Sequence, residues 1–120
     1  MNLLEIFEDS EDLLKFPAGT TIFKEGTEGD FMYVVVEGKI RLSLRNEYIA
    51  EESPGGIVGE MALLSSDDRS ATATAVTDCL LAPIDLHSFK VLIQHTPDFA
   101  LHVMNVLASR LRAANEQIAH

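Results

Sequence analysis

Between Pro17 and Gly59 the sequence is cut at short intervals by residues that stop helices and long strands alike. These are Pro17, Gly19, Gly26, Gly29, Gly38, Pro54, Gly55, Gly56 and Gly59. The runs between and after them are short and rich in β-branched and aromatic residues: 20–24, 31–37, 39–45, 48–52, 71–76 and 79–86. A chain punctuated in this way is expected to form many short strands joined by turns, as a sandwich, roll or barrel. Phe31-Met32-Tyr33-Val34-Val35-Val36 is its most apolar run and the candidate central strand.

The ends read differently. Residues 2–14 place Leu3, Leu4, Ile6, Phe7, Leu13 and Leu14 among acids, which predicts one or two short helices, with Asp9-Ser10-Glu11-Asp12 able to cap a helix start. After Pro83 the period becomes helical. Leu86, Phe89, Leu92 and Ile93 recur at three-to-four spacing behind Asp85, a candidate cap. Thr96-Pro97 starts a second helix that runs toward Ile118, since proline at the first helical position loses no intrahelical hydrogen bond. Along that helix Met104, Leu107, Leu111, Ala114 and Ile118 form a short heptad seam. The seam serves either packing on the helix's own domain or a homodimer, and the spacing leaves both open.

A chain of 120 residues with 47% hydrophobic residues can bury one core without disulfides or a metal. The expected organisation is a single domain over 1–120, with a helical segment at 1–15, the strand region at 16–86 and helices at 87–120. Cys79 is the one cysteine and sits in an apolar stretch, where it reads as a small buried hydrophobe. Met1-Asn2-Leu3-Leu4-Glu5 lacks the basic start of a signal peptide, and no apolar run reaches the ~18–20 residues that cross a bilayer. These features predict a cytoplasmic protein with no membrane partner. The formal net charge is -10, from nine Lys plus Arg against nineteen Asp plus Glu, which disfavours nucleic acid as a partner. Any anion bound by such a chain needs a local device that overcomes the global charge.

Residues 54–73 supply one. Gly59-Glu60-Met61-Ala62-Leu63-Leu64 reads as a glycine turn followed by a short helical turn, whose first N–H groups and dipole favour an anion. Ten residues on stands Arg69, the one basic residue between Arg45 and Lys90, in a small-residue stretch. A guanidinium can grip a phosphate with two parallel N–H bonds, which an ammonium cannot. Glu60 can accept a hydrogen bond from a sugar hydroxyl, or pair with the arginine. Alone, a glycine turn is usually a turn and an arginine usually a surface residue; the order and spacing give the combination its specificity.

In this order the residues resemble the phosphate-binding cassette of the cyclic nucleotide-binding domain family: Gly59-Glu60-Met61-Ala62-Leu63-Leu64, the linker 65–68, then Arg69-Ser70-Ala71-Thr72. Phe16-Pro17-Ala18-Gly19-Thr20, Ile22-Phe23-Lys24-Glu25-Gly26, Gly29-Asp30-Phe31-Met32-Tyr33-Val34-Val35 and Glu37-Gly38 resemble the family's earlier strands and turns, so the likeness covers nearly the whole chain. The resemblance implies a mainly β fold, an eight-stranded β-roll of jelly-roll type (a double-stranded β-helix) with flanking N- and C-terminal helices, and a cassette at 58–73. It implies that Arg69 binds the exocyclic phosphate oxygens of cAMP or cGMP and that Glu60 accepts the ribose 2′-hydroxyl. Backbone N–H groups of Gly59, Glu60, Ala62 and Ala71 complete the cradle, Ser70 meets the phosphate or a guanine amino group, and Val58 and Met61 line the pocket. The last helix is expected near the base, with Arg112 and Asn115 as its polar contacts. Asp68 departs from the family, which often has proline there, and its carboxylate can weaken phosphate binding or pair with Arg69.

The resulting expectation is a sensor that needs no cofactor and signals through movement of its C-terminal helix to an effector the sequence does not name. Two alternatives belong to the same fold: the regulatory part of a larger transcription regulator, or a degenerate domain that binds no cyclic nucleotide. An enzyme is a different class. Metal-dependent enzymes on roll folds need clustered ligands, whereas His87, His95, His102 and His120 all lie in the C-terminal helical part. No catalytic or metal-ligating set is expected.

Overall fold

Met32–Glu37 (β3) carries five consecutive residues that are buried or half-buried, and the strands of one sheet assemble around it. The structure, a computed structural model, describes residues 4–8, 10–65 and 67–119, with the side chains of residues 8, 114 and 117–119 outside the description. It divides into two compact units, Met1–Leu86 and His87–His120.

In the first unit a short helix, Glu5–Glu8 (α1), precedes Leu14–Phe16 (β1) and Thr21–Phe23 (β2). After β3 come Ile40–Leu44 (β4), Glu47–Glu52 (β5), Ile57–Val58 (β6), the helix Glu60–Leu64 (α2), Thr72–Ala75 (β7) and Cys79–Ile84 (β8). The strands form two four-stranded sheets of order β1-β8-β3-β6 and β2-β7-β4-β5. All pairings are antiparallel, with Val35 opposite Leu81 in the first sheet and Leu42 opposite Ala73 in the second. Val35, Val58, Cys79 and Leu81 from one sheet pack against Ile40, Leu42, Ala73 and Ala75 from the other, so the inner faces make one core. This is the expected mainly β architecture of eight strands with flanking helices.

The chain crosses between the sheets at turns that brace one another. Gly38 turns β3 into β4 with φ 93°, and beside it 76–78 turn β7 into β8. Lys39 N–H donates to Thr77 Oγ1 at 3.0 Å, and Val76 N–H donates to the Lys39 carbonyl at 2.9 Å. The buried Cys79 thiol donates to that same carbonyl at 3.3 Å, and burial pushes its pKa up. Its place in the core agrees with its reading as a small hydrophobe. The β4–β5 hairpin closes through Arg45 and Asn46, both with positive φ, the geometry of a two-residue turn matched to strand twist.

The N-terminal reading holds in part: of the one or two short helices expected, one forms as α1, but among the described residues no helix reaches Leu14, which opens β1 instead. Ser10, expected to help cap a helix, accepts a hydrogen bond from Asp12 N–H at 3.2 Å and so stabilises a local turn that competes with helix. Asn2, Leu3 and Asp9 lie outside the described residues.

In the second unit Leu86–His95 (α3) is followed by Pro97–Ala119 (α4). Thr96 joins them: its N–H donates to the Leu92 carbonyl at 2.7 Å, and its own carbonyl accepts from Phe99 N–H at 2.9 Å. Phe89 meets the fully buried Phe99 edge to face at 5.9 Å between centroids. Among the described residues no helix is long and apolar enough to cross a membrane.

The crossing turns make a stability prediction. A Cβ at Gly38 would overlap the Asp78 carbonyl oxygen and approach Cys79 Sγ to 2.8 Å, whereas one at Gly19, also at positive φ, meets nothing within 4 Å. In urea denaturation, Gly19→Ala is expected to lose about 1 kcal/mol for backbone conformation alone. Gly38→Ala is expected to lose about 3 kcal/mol, because strain and overlap combine. Equal losses would show that the bracing of the turns contributes nothing.

Candidate functional site

Strand β6 ends at Val58, and the next residue, Gly59, takes a left-handed conformation (φ 79°, ψ 10°) that turns the chain into α2. Gly59 has no side chain and makes no side-chain cap to this helix. Glu60 opens the helix, only 5% exposed.

Arg69 comes to this corner from outside the helix. Its main chain is held by the β2–β3 connection: Arg69 N–H donates to the Thr27 carbonyl and Gly26 N–H donates to the Arg69 carbonyl, both at 2.8 Å. The side chain is also only 5% exposed. Its Nη1 donates to the Gly59 carbonyl at 3.1 Å. Its Cζ lies 4.3 Å from the centre of the Phe23 ring and 6.0 Å from that of Tyr33. Nε is buried with no hydrogen-bond partner. The guanidinium fits because two neighbours lack side chains: a Cβ on Gly29 would overlap Nε and Cζ, and one on Gly59 would overlap Nη1.

Burial lowers the Arg69 pKa from its ordinary value, while Tyr33 and the carboxylates of Asp30 and Glu60 act in the other direction. Asp68, the departure from the family pattern, is exposed and is not among the charges that bear on the guanidinium.

The structure therefore brings Gly59, Glu60 and Arg69 together. Ala62 is buried on α2 and Ala71 half-buried just before β7, while Ser70 is exposed beside the arginine. Val58 directs its side chain into the core between the sheets, and Met61 is 45% exposed. Arg112 and Asn115 lie on α4, in the second unit, and both are exposed; Arg112 Nη2 donates to Ser109 Oγ at 3.3 Å. His87, His95 and His102 also belong to the second unit, and His120 is outside the described residues.

Sequence reasoning did not assign Phe23, Gly26, Thr27, Gly29, Asp30 or Tyr33 to the site. They lie 36 to 46 residues before Arg69, in strands and turns that read as scaffold. Glu25 was missed likewise. It accepts from Thr72 Oγ1 at 3.1 Å and from Arg45 N–H at 3.1 Å, tying the end of the cassette to the β4–β5 hairpin.

Residues 13–96 match the family model of the cyclic nucleotide-binding domain, and the chain belongs to that family. It is 35% identical over 108 residues to the cyclic AMP receptor protein of Thermus thermophilus, a match that covers 86% of this chain and 50% of the relative. A crystal structure of the Thermus thermophilus catabolite activator protein superposes with a TM-score of 0.77 at 34% identity, covering 89% of this chain and 53% of that one. A cyclic nucleotide-gated potassium channel of Mesorhizobium japonicum is 39% identical over 84 residues, 70% of this chain and 23% of the channel. The chain spans about half the length of the regulators it matches.

The two glycines against Arg69 should respond differently to alanine. Gly59 has a positive φ as well as the close approach, whereas Gly29 has only the approach, to a side chain. In urea denaturation Gly59→Ala is expected to cost about 3 kcal/mol, from strain and overlap together, and Gly29→Ala about 1–2 kcal/mol, from overlap with the buried guanidinium alone. The reverse order would mean that the arginine, not the Gly59 backbone, is the rigid partner.

Proposed function

We infer that the chain binds a cyclic nucleotide, cAMP or cGMP, through the cassette at 58–73, and acts as a sensory module rather than an enzyme. The observation that carries this reading is Arg69: a guanidinium almost wholly buried, its Nε without a partner, against the Gly59 turn that opens α2. Buried donors are normally satisfied, and one left open at a family's ligand corner suits an anion. In this reading Arg69 grips the exocyclic phosphate oxygens. Glu60 accepts the ribose 2′-hydroxyl, and the amides of Gly59, Glu60, Ala62 and Ala71 complete the cradle. Ser70, being exposed, is free to meet the phosphate or a guanine amino group.

The output proposed is movement of the C-terminal helix, with Arg112 and Asn115 meeting the base and the whole of 1–120 working as one domain. A ligand shifts such an equilibrium only through unequal affinity for its two states, so the moving part has to touch ligand or cradle. A homodimer through the α4 seam is part of the same proposal. Met104 is 55% and Leu111 63% exposed, and Leu107 is half-buried; the side chains of Ala114 and Ile118 lie outside the description. A second reading, the sensory part of a longer transcription regulator, is favoured by the relatives, regulators of which the chain spans about half.

Isothermal titration with cAMP, cGMP and 5′-AMP tests the proposal. Micromolar or tighter binding of a cyclic nucleotide, with little of 5′-AMP, is expected. Arg69→Ala should lower affinity at least tenfold, through loss of a charge-assisted contact worth about 1.5–3 kcal/mol. Undiminished affinity in that variant would remove Arg69 from the site, and no binding by the parent chain would leave the fold without this function.

A further inference from the structure

A buried guanidinium needs compensation for lost water. Arg69 makes one side-chain hydrogen bond, from Nη1 to Gly59, and leaves Nε without a partner. Besides the nearby carboxylates of Asp30 and Glu60, the groups that can supply the rest are aromatic. Phe23 presents its face to Cζ at 4.3 Å. Beside it the Tyr33 ring lies nearly parallel to Phe23, 6.2 Å away with 18° between planes and 6.0 Å from the same Cζ, and Phe16 meets Tyr33 edge-on at 6.5 Å. Phe16 stands on β1, Phe23 on β2 and Tyr33 on β3, so this aromatic group joins both sheets, and its Phe23 ring is the one nearest the cassette arginine.

We propose that Phe23 is a positioning residue for phosphate recognition, its ring serving as the platform that fixes the plane of the Arg69 guanidinium before ligand arrives. The proposal rests on the reading of the site as a cyclic nucleotide cradle. The chemistry follows from the arginine's shape. Its planar fork meets a phosphate with two parallel bonds only when the plane is correctly oriented, and a free arginine loses much rotamer freedom in adopting one orientation. A ring face attracts the cation in any in-plane direction, and it uses none of the N–H donors that the phosphate needs. The backbone bonds to Gly26 and Thr27 fix where the side chain starts, the Gly59 carbonyl holds Nη1, and the Phe23 face sets the plane of the fork. The cassette is thus completed by a residue 46 positions upstream of its arginine.

The test is a double-mutant cycle in the full chain, with Phe23→Leu, Phe23→Met, Phe23→Tyr and Arg69→Lys, read by titration with cAMP and by the NMR signal of Arg69 Nε–H. Phe23→Leu and Phe23→Met are expected to weaken cAMP binding about tenfold, while Phe23→Tyr, which keeps the ring face, stays within about threefold. In the Arg69→Lys background, where no planar group is left to orient, Phe23→Leu should change affinity less than about threefold. Equal losses in both backgrounds would mean that Phe23 only supports the fold, and would overturn the proposal, as would full affinity in folded Phe23→Leu. The Nε–H signal should be displaced by the ring current in the parent and in Phe23→Tyr, and return toward the free-arginine position in Phe23→Leu and Phe23→Met. If the parent binds neither cAMP nor cGMP, the reading of the site fails, and this signal decides alone whether Phe23 positions Arg69. Displacement lost on substitution supports it, and an identical signal in parent and variants overturns it.

Discussion

Removing a guanidinium from water is among the most demanding things a small domain can do, because the charge loses its hydration and cannot readily give up its proton. Arg69 is nearly buried in this chain, and the geometry of three separated segments follows from accommodating it. The 23–29 segment supplies an aromatic face, two backbone bonds and a glycine that leaves space. The 57–60 corner supplies a carbonyl acceptor, a second glycine and the carboxylate of Glu60. The segment after Arg69 returns at once to β7, with Thr72 held by Glu25. Apart from those of Gly59 and Glu60 with Arg69, these contacts join residues 40 or more positions apart, so the site is complete only when both sheets are formed.

That dependence runs through the fold. β2 is three residues long and has a single sheet neighbour, β7, the strand that follows the cassette. A three-residue strand has little stability of its own. It is held by packing across the core, where Phe23 and Ile22 lie against the cluster that includes Val58 and Ala73. The same contacts that keep β2 in the sheet keep its aromatic ring beneath the arginine, so site geometry and core packing are linked through one short strand.

What the sequence made legible follows from how local each signal was. β3 stood out because Met32–Val36 is apolar without interruption, as a strand buried on both faces should be. The break between α3 and α4 stood out because Pro97 has an unambiguous place at a helix start. β1 and β6 were not legible: at three and two residues they are too short for any periodicity, and only their partners β8 and β3 make them strands. Ser10 misled because its hydroxyl serves a helix cap and a local turn through the same kind of bond. In the site, Gly59, Glu60 and Arg69 were readable together because one loop carries all three within eleven residues. Phe23 and Gly29 were not, since a strand phenylalanine and a turn glycine look alike whether they touch an arginine or nothing.

The charge of the chain bears on what the cradle can hold. With a formal net charge of -10 the protein's field opposes every anion. Within the site Asp30 and Glu60 add local negative charge near Arg69. These carboxylates help keep the guanidinium charged despite burial, and the same field repels a ligand in proportion to the ligand's charge. A cyclic phosphodiester carries one negative charge, whereas a terminal phosphate near neutral pH carries between one and two. On the proposed reading, one guanidinium and a few amides can outweigh the field for the first and fall short for the second. Selectivity for the cyclic form then comes partly from the acidic character that argues against nucleic acid as a partner, and a more basic cradle would bind more tightly while discriminating less.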